Sequence, residues 1–495
     1  MSSQPDILIV SCPPWLVDAP PLGIASLASF VERSGFDAEV FDLNIELFSR
    51  TFPEQRFLWK MEEKNYWERS NMFPRTWSLF RRELEAAVDR IAGSEAPVIG
   101  FSVAAPKQFV TIEIIRGLAR RGVKKKIVLG GPACQTEPER HIFTNRIPEL
   151  VDCYVVGEGE QSLLEILQRY KAGQDVEGID GVTRWRDNAF TSFHPRKPSL
   201  PLEELSKPTY AGFPMRSYAS PCLVVEFSRG CVSDCAFCQV RSQWGTFRVK
   251  NPQAMLEELA MLSELHHTDL FTFADPAING HRRQFLEFLH LLLDSGLKLR
   301  WSAMLLALKN LEPGDLELMR EAGCYRLEVG AETGSDHVLG LMRKTATVES
   351  TERALRHVKA AGIQSVIFLL TGFPGEADAD FLETLRFVER NRDNIDMVRS
   401  VNALYLQEGT RVEVRAAEYG IDIPENRPET WNTLWRIGND NTPAIRRQRV
   451  ERLIAHLAGL GIPYQLSSLD EMGGNRAAPP APTPEAPEPV LALSV

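Results

Sequence analysis

The stretch CLVVEFSRGCVSDCAFCQV, residues 222–240, joins a valine-rich apolar run to three cysteines, Cys231, Cys235 and Cys238. The apolar run predicts a buried β-strand that ends near Gly230. A structural zinc site normally has four ligands, and a disulfide framework pairs its cysteines. Three thiols without a fourth nearby therefore need a different chemical explanation.

Strand-like runs follow the cysteines, and helical patterns such as QAMLEELAMLSEL separate them. The runs are DLFTFADP (269–276), LKLRWSA (297–303), CYRLEVGAE (324–332), IQSVIFLLTG (363–372) and MVRSVNALYL (397–406). With the first run, this alternation predicts a partial parallel (β/α)6 barrel over residues 216–412. Chemistry in such barrels lies at the carboxyl ends of the strands, and the cysteines directly follow the first strand.

A second alternating series precedes the barrel, in residues 1–171. Its strand-like runs are DILIVSC (6–12), DAEVFDLN (37–44), PVIGFSV (97–103), KIVLGG (126–131) and VDCYVVGEGE (151–160). Buried strands separated by helices predict a doubly wound, Rossmann-like parallel sheet. The fold class is therefore α/β, with this sheet followed by the barrel. Open sheets of this kind bind ligands beyond the carboxyl ends of their strands.

The remaining segments differ in composition. Residues 172–215 are irregular and contain prolines, which predicts an interdomain linker. The sequence pattern of residues 413–472 predicts a small helical C-terminal extension. The Pro- and Ala-rich residues 473–495 have little to bury, so we expect a disordered tail. Residues 52–80 are dense in aromatic side chains and form either a cover over a ligand or a helical hairpin that packs its own aromatics.

Composition narrows the class of protein. The formal net charge of −10 disfavours a nucleic-acid partner. No apolar stretch approaches the ~20 residues of a membrane helix, so no transmembrane segment is expected. Eight cysteines and no recognisable signal peptide indicate reduced thiols and a cytoplasmic location. The cysteine triplet is therefore expected to bind metal rather than to form disulfides.

The pattern Cys-x-x-x-Cys-x-aromatic-Cys, formed by Cys231, Cys235, Phe237 and Cys238, resembles the signature of radical S-adenosylmethionine (SAM) enzymes. The resemblance implies that the cysteines are the catalytic, metal-binding residues: they hold three irons of a [4Fe–4S] cluster and leave the fourth iron open to SAM. It also implies that the cluster passes one electron to the sulfonium, which gives methionine and a 5′-deoxyadenosyl radical. The alternative is a zinc site completed by Cys222, but Cys222 opens the preceding strand and lies a strand's length away.

Further barrel segments resemble the parts of that family that contact SAM. LEVGAETGSDHVLGLMRK (327–344) resembles the segment whose glutamate binds the SAM ribose, and LLTGFPGE (369–376) resembles the segment that lines the adenine site. FADPAI (273–278) lies where relatives carry two adjacent acids, but Pro276 replaces the second, which leaves the role of the first open. The SAM-site residues that the resemblance implies are Phe237, Asp275, Gly330, Glu332, Gly372 and Gly375.

Residues 5–170 resemble the cobalamin-binding domain that precedes the barrel in many radical SAM enzymes. The segments that carry this resemblance are PPLGIASLASFVERSGFDAEVFDLN (20–44), VIGFSVAAP (98–106), IVLGGPACQTEPE (127–139) and VDCYVVGEGEQSLLEIL (151–167). The cobalamin contacts expected at the sheet edge are Pro13, Pro14, Leu22, Ser102, Val103, Gly130, Gly131, Gly157 and Glu158. Residues 1–140 contain no histidine, so a histidine ligand to cobalt is not expected. The alternative is a domain that has kept the fold but binds nothing.

Together the two resemblances imply a cobalamin-dependent radical SAM enzyme that acts as a C-methyltransferase. One SAM would methylate cobalamin, and a second would yield the radical that abstracts hydrogen from an unactivated carbon. The implied partners are a small-molecule or natural-product substrate and an electron donor such as flavodoxin or ferredoxin. Two alternatives stay open: a cobalamin-dependent cyclase or rearrangement enzyme, and a non-catalytic sensor of cobalamin or of an iron–sulfur cluster.

Overall fold

The computed structural model describes residues 4–425 and 431–466. By their internal contacts these residues divide into two units after Val225. The predicted tail at 473–495 lies outside the described residues, as do parts of the predicted helical extension. In the described ranges, no helix is both long enough and apolar enough to cross a bilayer.

The first unit contains a six-stranded sheet in the order β2-β1-β3-β4-β5-β6. Its strands are β1 (Ile7–Ser11), β2 (Ala38–Asp42), β3 (Val98–Ser102), β4 (Lys126–Gly130), β5 (Cys153–Val155) and β6 (Val182–Thr183). The first five strands are parallel, and β6 is antiparallel to β5. The chain leaves β1 for β2 on one side and continues to β3 on the other, so the carboxyl ends of β1 and β3 flank the switch point of the sheet. The predicted doubly wound sheet is confirmed.

Helices cover this sheet and form the segment between β2 and β3. They are α1 (Leu22–Arg33), α2 (Leu43–Arg50), α3 (Asn65–Glu68), α4 (Phe73–Leu79), α5 (Arg81–Gly93), α6 (Gln108–Arg120), α7 (Glu137–Thr144) and α8 (Glu160–Lys171). Two of their starts are capped by side chains: Asp42 accepts from the backbone N–H of Ile45, and Thr136 and Glu139 form a capping box at α7.

The aromatic segment at 52–80 folds as short helices that pack their own rings. Trp67 is fully buried, its ring stacks on Phe80 at 5.8 Å between centroids, and it meets Trp59 edge-on at 5.3 Å. The indole N–H of Trp67 donates to the carbonyl of Leu58 at 2.7 Å. The structure therefore matches the second interpretation of this segment, in which the aromatics pack against one another.

The structure corrects the prediction of a linker at residues 172–215. This segment contributes β6 to the first sheet, and it forms the hairpin of β7 (Trp185–Arg186) and β8 (Ala189–Phe190) and the short helix α9 (Leu202–Leu205). Ser29 of α1 accepts from the backbone N–H of Thr209 at 2.9 Å. Strands of two residues are too short to produce a hydrophobic period, which is why the sequence pattern looked irregular.

The second unit holds six strands of an open seven-stranded sheet in the order β17-β16-β15-β14-β13-β12-β9, whose edge strand β9 ends at Val225, where the units divide. The strands of this sheet are β9 (Leu223–Val225), β12 (Leu270–Phe273), β13 (Arg300–Leu305), β14 (Cys324–Glu332), β15 (Gln364–Thr371), β16 (Met397–Ala403) and β17 (Tyr464–Leu466), and a separate pair is formed by β10 (Ser228–Arg229) and β11 (Arg248–Val249). The strands from β12 to β17 pair in parallel. The predicted partial barrel is confirmed.

The helices of the second unit alternate with these strands. They are α10 (Val240–Trp244), α11 (Pro252–His266), α12 (Arg282–Ser295), α13 (Pro313–Glu321), α14 (Asp336–Leu341), α15 (Val348–Ala360), α16 (Asp378–Arg390), α17 (Arg411–Val414), α18 (Trp431–Leu434) and α19 (Pro443–Leu460). Phe227 stacks on Phe288 of α12 at 5.3 Å, and Phe273 meets the same ring edge-on, so aromatic contacts hold α12 against the sheet.

The described part of the predicted helical extension at 413–472 contains three helices and one strand. After α19 the chain adds β17 in parallel to β16 and so widens the sheet by one strand. Arg446 of α19 is buried, and its guanidinium lies 3.7 Å from the ring centroid of Trp435. The described part of the extension is therefore integral to the sheet.

Candidate active site

The three cysteines lie on the loop of residues 230–247, which connects β10 to β11. Because these two strands pair antiparallel, the two ends of this cysteine loop are held together. Gly230 has φ of +87°, and a Cβ there would lie 3.0 Å from the carbonyl oxygen of Thr246 and 3.2 Å from Cα of Phe247. Glycine is required at this close approach of the two ends.

The thiols of the cysteine loop differ from those elsewhere in the chain. Cys231, Cys235 and Cys238 are free and partly exposed. The remaining cysteines are buried: Cys12, Cys134, Cys153, Cys222 and Cys324. The accessible thiols are thus those that the sequence motif singled out.

Hydrogen bonds tie the cysteine loop to segments that follow β14 and β16. The N–H of Ala236 donates to the carbonyl of Met342 at 2.9 Å, and the N–H of Val412 donates to the carbonyl of Ala236 at 2.9 Å. The hydroxyls of Ser233 and Thr345 are 3.1 Å apart. The loop backbone is therefore fixed from two sides at the carboxyl end of the sheet.

An acid between the first two cysteines adds to this anchoring. Asp234 Oδ2 accepts from Arg411 Nη2 at 2.8 Å and from Arg343 Nη2 at 3.1 Å. Arg241 Nε lies 3.8 Å from Oδ1 of the same carboxylate. The sequence motif gave no sign of this role, because the two arginines that bond to Oδ2, Arg343 and Arg411, come from distant parts of the chain.

Glu332 ends β14 in a backbone conformation that is rare for a residue with a side chain. Its φ is +61°, and the N–H of Thr333 donates to the carbonyl of Ala331 at 2.8 Å, which makes Glu332 the centre of a γ-turn. The register between β14 and β15 shifts at the same place. Such a conformation costs about 1–3 kcal/mol and tends to persist at functional sites.

Lys344 joins Glu332 to the cysteine loop. Its ammonium is buried and donates to Glu332 Oε1 at 2.8 Å and to the carbonyl of Gly330 at 2.8 Å. A Cβ at Gly330 would lie 2.7 Å from Glu332 Oε1 and 2.9 Å from Lys344 Nζ, so glycine leaves the space that this ion pair fills.

The thiols share the electrostatic environment of this ion pair. Burial raises the pKa of Cys235 to about 12, the charge of Lys344 opposes this increase, and Cys238, Glu332 and Cys231 add to it. Burial likewise raises the pKa of Cys238. In the metal-free chain Cys235 is therefore protonated at neutral pH, and metal ligation has to displace its proton.

The donor set fits a cluster with one open iron. Three accessible thiols on one anchored loop match the ligands of a [4Fe–4S] cluster bound at three corners. Across the described ranges, no group of three or more His, Cys, Asp or Glu side chains is placed so that it could hold a single metal ion. Cys222, the proposed fourth ligand of the zinc alternative, is fully buried next to β9, and its thiol contacts the carbonyl of Leu223 at 3.7 Å.

Packing accounts for the two glycines of the segment after β15. A Cβ at Gly372, where φ is +80°, would lie 2.5 Å from the side chain of Arg446. A Cβ at Gly375 would lie 2.8 Å from Leu341. Asn441 also donates to the carbonyl of Gly372 at 2.9 Å. Contacts of these glycines with SAM stay a prediction.

Partly exposed side chains line the face of the sheet that carries Gly330. The strand register places Gly330, Phe368 and Ser400 in one row, and Leu370 and Asn402 in the next. These positions lie on strands with neighbours on both sides and still remain partly exposed. The face is therefore accessible to a ligand near the end of β14. The quoted sequence motifs include Gly330 and Leu370 but not Phe368, Ser400 or Asn402.

The residues expected to contact cobalamin lie at the carboxyl edge of the first sheet. Pro13 and Pro14 follow β1; both are buried, and a cis peptide bond joins them. Leu22 is the first residue of α1, and Ser102 is the last residue of β3. The N–H of Val103 donates to the carbonyl of Gly130 at 2.8 Å, and a Cβ at Gly131 would lie 2.7 Å from the carbonyl oxygen of Val103. Gly157 and Glu158 follow β5, and Gly157 is exposed with φ of +84° and open space beside it.

The sequence pattern did not point to a buried lysine that lies at this edge. Lys107 is 3% exposed, its ammonium donates to Ser11 Oγ at 3.3 Å, and it lies 4.3 Å from the ring centroid of Trp15. Burial lowers the pKa of Lys107 to about 8, although the charges of Asp42 and Cys12 act in the opposite direction. The buried carboxylate of Asp42 in turn accepts from the hydroxyl of Tyr218 at 2.6 Å.

Comparison with known proteins agrees with this geometry. Residues 225–388 match the family model of the radical SAM superfamily. The chain carries a radical SAM domain. It is 26% identical over 269 residues to an uncharacterized methyltransferase of Pyrococcus horikoshii, a match that covers 53% of this chain and 58% of the relative. It is also 26% identical over 302 residues to the anaerobic magnesium-protoporphyrin IX monomethyl ester cyclase of Rubrivivax gelatinosus, which covers 56% of this chain and 53% of the relative. The chain thus spans little more than half the length of these two relatives.

Solved structures extend the likeness to both units. The radical SAM methyltransferase TsrM from Kitasatospora setae, with tryptophan substrate and a SAM analog bound, matches 94% of this chain and 92% of its own, with a TM-score of 0.68 and 17% identity. A second structure of TsrM, with cobalamin and a [4Fe–4S] cluster bound, gives a TM-score of 0.67 at 16% identity. At these identities the likeness shows a shared fold, in which a sheet of the kind found in the first unit precedes a radical SAM domain.

Proposed function

We propose that this radical SAM chain is a cobalamin-dependent methyltransferase that acts on an unactivated carbon of a small molecule. The observation that carries the proposal is the arrangement at the end of β14. Three accessible thiols, the carboxylate of Glu332 and the ammonium of Lys344 form one electrostatic group at the carboxyl end of an open parallel sheet.

The residues of the second unit have distinct roles in this proposal. A [4Fe–4S] cluster on Cys231, Cys235 and Cys238 would supply the electron for reductive cleavage of SAM. Because one oxygen of Glu332 already accepts from Lys344, the carboxylate is held in one orientation, and its second oxygen is left to accept from a ribose hydroxyl.

The first unit offers a fitting site for cobalamin, which would supply a methyl carrier. The exposed turn at Gly157 leaves open space beside the backbone, and the carboxyl ends of β1 and β3 flank the switch point where such sheets bind ligands. The fold shared with TsrM, whose structure contains cobalamin, supports this assignment. The contacts from Pro13, Leu22 and Ser102 remain part of the proposal.

The substrate is proposed to be a small organic molecule with both apolar surface and a hydrogen-bonding group. The accessible face beside Gly330 presents Phe368 and Leu370 together with Ser400 and Asn402. A one-electron donor of the flavodoxin or ferredoxin kind is the further partner that the proposed chemistry requires.

A second candidate function is ring formation. It is favoured by the similarity to the Rubrivivax gelatinosus cyclase, which is as high as that to the Pyrococcus horikoshii methyltransferase. A third possibility, a sensor, would leave SAM intact.

Isotope labelling separates these functions. The protein is reconstituted anaerobically with iron, sulfide and cobalamin, and is given a one-electron reductant, SAM with a deuterated methyl group and an extract of small molecules. The methyltransferase proposal predicts S-adenosylhomocysteine, 5′-deoxyadenosine and a product that carries the labelled methyl group. A cyclase would form 5′-deoxyadenosine without label in the product, and a sensor would form neither nucleoside. Either of the last two results would overturn the proposal.

A further inference from the structure

A buried acid holds the start of the cysteine loop. Asp275 follows β12 and is fully buried. Its Oδ2 accepts from the N–H of Phe227 at 2.9 Å, and its Oδ1 accepts from both the N–H and the hydroxyl of Ser228, each at 2.5 Å. These residues lead the chain from β9 into β10, directly before Cys231.

The three donors select a carboxylate at position 275. Two backbone N–H groups and one hydroxyl converge on two oxygens, and an ionised carboxylate can accept all three bonds. An asparagine would turn an N–H toward one of these donors and lose at least one bond. Burial raises the pKa of Asp275 to about 7, and the bonds from Ser228 and Phe227 favour the ionised form.

The end of the loop rests on the same segment. A Cβ at Gly280 would lie 2.8 Å from the ring of Phe247, so the Phe247 side chain packs directly on this glycine. The N–H of Lys250 donates to the carbonyl of Phe227 at 2.7 Å, which closes the base of the loop. Residues 275–280 therefore support both the incoming and the outgoing chain of the cysteine loop.

We infer that Asp275 is a positioning residue for the cysteine loop and does not contact SAM. Both of its oxygens are engaged by the backbone and hydroxyl of the loop base. This differs from the SAM contact that the sequence resemblance suggested for the same residue. The inference rests on the proposed function in one respect, namely that the loop binds an iron–sulfur cluster.

The test compares D275N with a matched control. D315N makes the same substitution in the same unit, at a mostly buried acid that accepts from Arg282 and from the N–H of Glu312. Iron-free protein is treated with an alkylating reagent, and the modification rate of the three loop thiols is measured by mass spectrometry. Reconstituted protein is then assayed for bound iron and for SAM affinity.

The inference predicts that alkylation of the loop thiols is about threefold to tenfold faster in D275N than in the wild type, because the loop opens more often. D275N should also bind about threefold less iron. Both effects are those expected for the loss of one or two hydrogen bonds. The SAM affinity of the loaded fraction should match the wild type, and so should the thiol alkylation, iron content and SAM affinity of D315N. Full iron loading with weaker SAM binding would make Asp275 a ligand contact and overturn the inference. Unchanged alkylation and loading would overturn it as well.

A milder variant decides the matter if D275N fails to fold. S228A removes only the hydroxyl donor and leaves the two N–H bonds, so thiol alkylation should rise about twofold at an unchanged melting temperature. No change in alkylation would overturn the inference. If the wild type itself loads no iron, the proposed function fails, but the alkylation rates of the iron-free protein still test the role of Asp275.

Discussion

Lys344 Nζ lies 2.8 Å from Glu332 Oε1, and the same ammonium bonds the carbonyl of Gly330. The neighbours of Lys344 bond to the cysteine loop: Met342 accepts from Ala236, and Arg343 pairs with Asp234. One short segment after α14 therefore connects the end of β14 with the loop that carries the thiols. A substitution at the end of β14 is therefore expected to affect the cysteine loop, and a substitution in the loop is expected to affect the end of β14.

Replacing Lys344 by methionine should weaken SAM binding. The substitution keeps the apolar stem but removes the cation that orients Glu332 at its strained turn. We expect SAM affinity to fall about tenfold, or about 1.4 kcal/mol, by titration calorimetry of the reconstituted protein. The control K359M removes an exposed lysine that pairs with Asp396 in the same unit, and it should leave the affinity unchanged. Equal affinities of K344M and wild type would contradict this role.

Replacing Asp234 by asparagine should loosen the cysteine loop with little effect on global stability. Because this carboxylate and its arginine partners are partly exposed, the loss of unfolding free energy should be at most about 1 kcal/mol. The release of iron to a chelator should nevertheless become about threefold faster, since two anchors of the loop are lost together. D422N, which removes an exposed partner of Arg436, serves as the control. Iron release at the wild-type rate would refute the anchoring role.

The buried Lys107 predicts a specific pH dependence of stability. Its pKa is lowered to about 8 in the folded chain, while the unfolded chain keeps the ordinary value of about 10.4. Between these values the unfolded state binds more protons at this residue, so the contribution of Lys107 to the free energy of unfolding, taken as the difference between wild type and K107M, should rise with pH from about 8 to about 10, by up to roughly 3 kcal/mol. Below pH 8 both states are protonated, and the cost of burying the charge is constant. Urea unfolding of wild type and K107M across this range checks the prediction, since K107M should lack this rise; parallel pH profiles would contradict it.

The aromatic segment between β2 and β3 should contribute to the stability of the hydrophobic core. Trp67 is fully buried and contacts Phe80 and Trp59, so W67A should cost about 3–5 kcal/mol of unfolding free energy. Phe52 in the same segment is 70% exposed, and F52A should change stability by less than about 0.5 kcal/mol. Denaturant unfolding followed by fluorescence measures both. A small effect of W67A would show that the segment is not part of the core.

Sequence periodicity predicted the long central strands and failed at the short ones. The run at 324–332 coincides with β14, because a buried strand of nine residues has a clear apolar pattern. Strands β6 to β8 and β17 have two or three residues, too few for a periodic pattern, and β6 and β17 also depend on partners that are distant along the chain. Tertiary pairing, rather than local propensity, forms them.

The candidate site was predictable to the extent that it follows a motif. The spacing of the cysteines identified the loop, and Glu332 was found by its resemblance to a ribose-binding segment. Lys344, Asp234 and Lys107 were missed because their roles come from contacts that only the folded chain creates. Asp275 was placed among the SAM-site residues with its role left open, and the structure shows both of its oxygens bound to the base of the loop.

Metal analysis of single cysteine variants tests the central claim most directly. After anaerobic reconstitution, wild type and C222A should each bind about four irons per chain with matching sulfide, and C231A, C235A and C238A should each bind less than about one. A single zinc per chain in the wild type, lost on mutation of Cys222 as well as of the loop cysteines, would contradict the account.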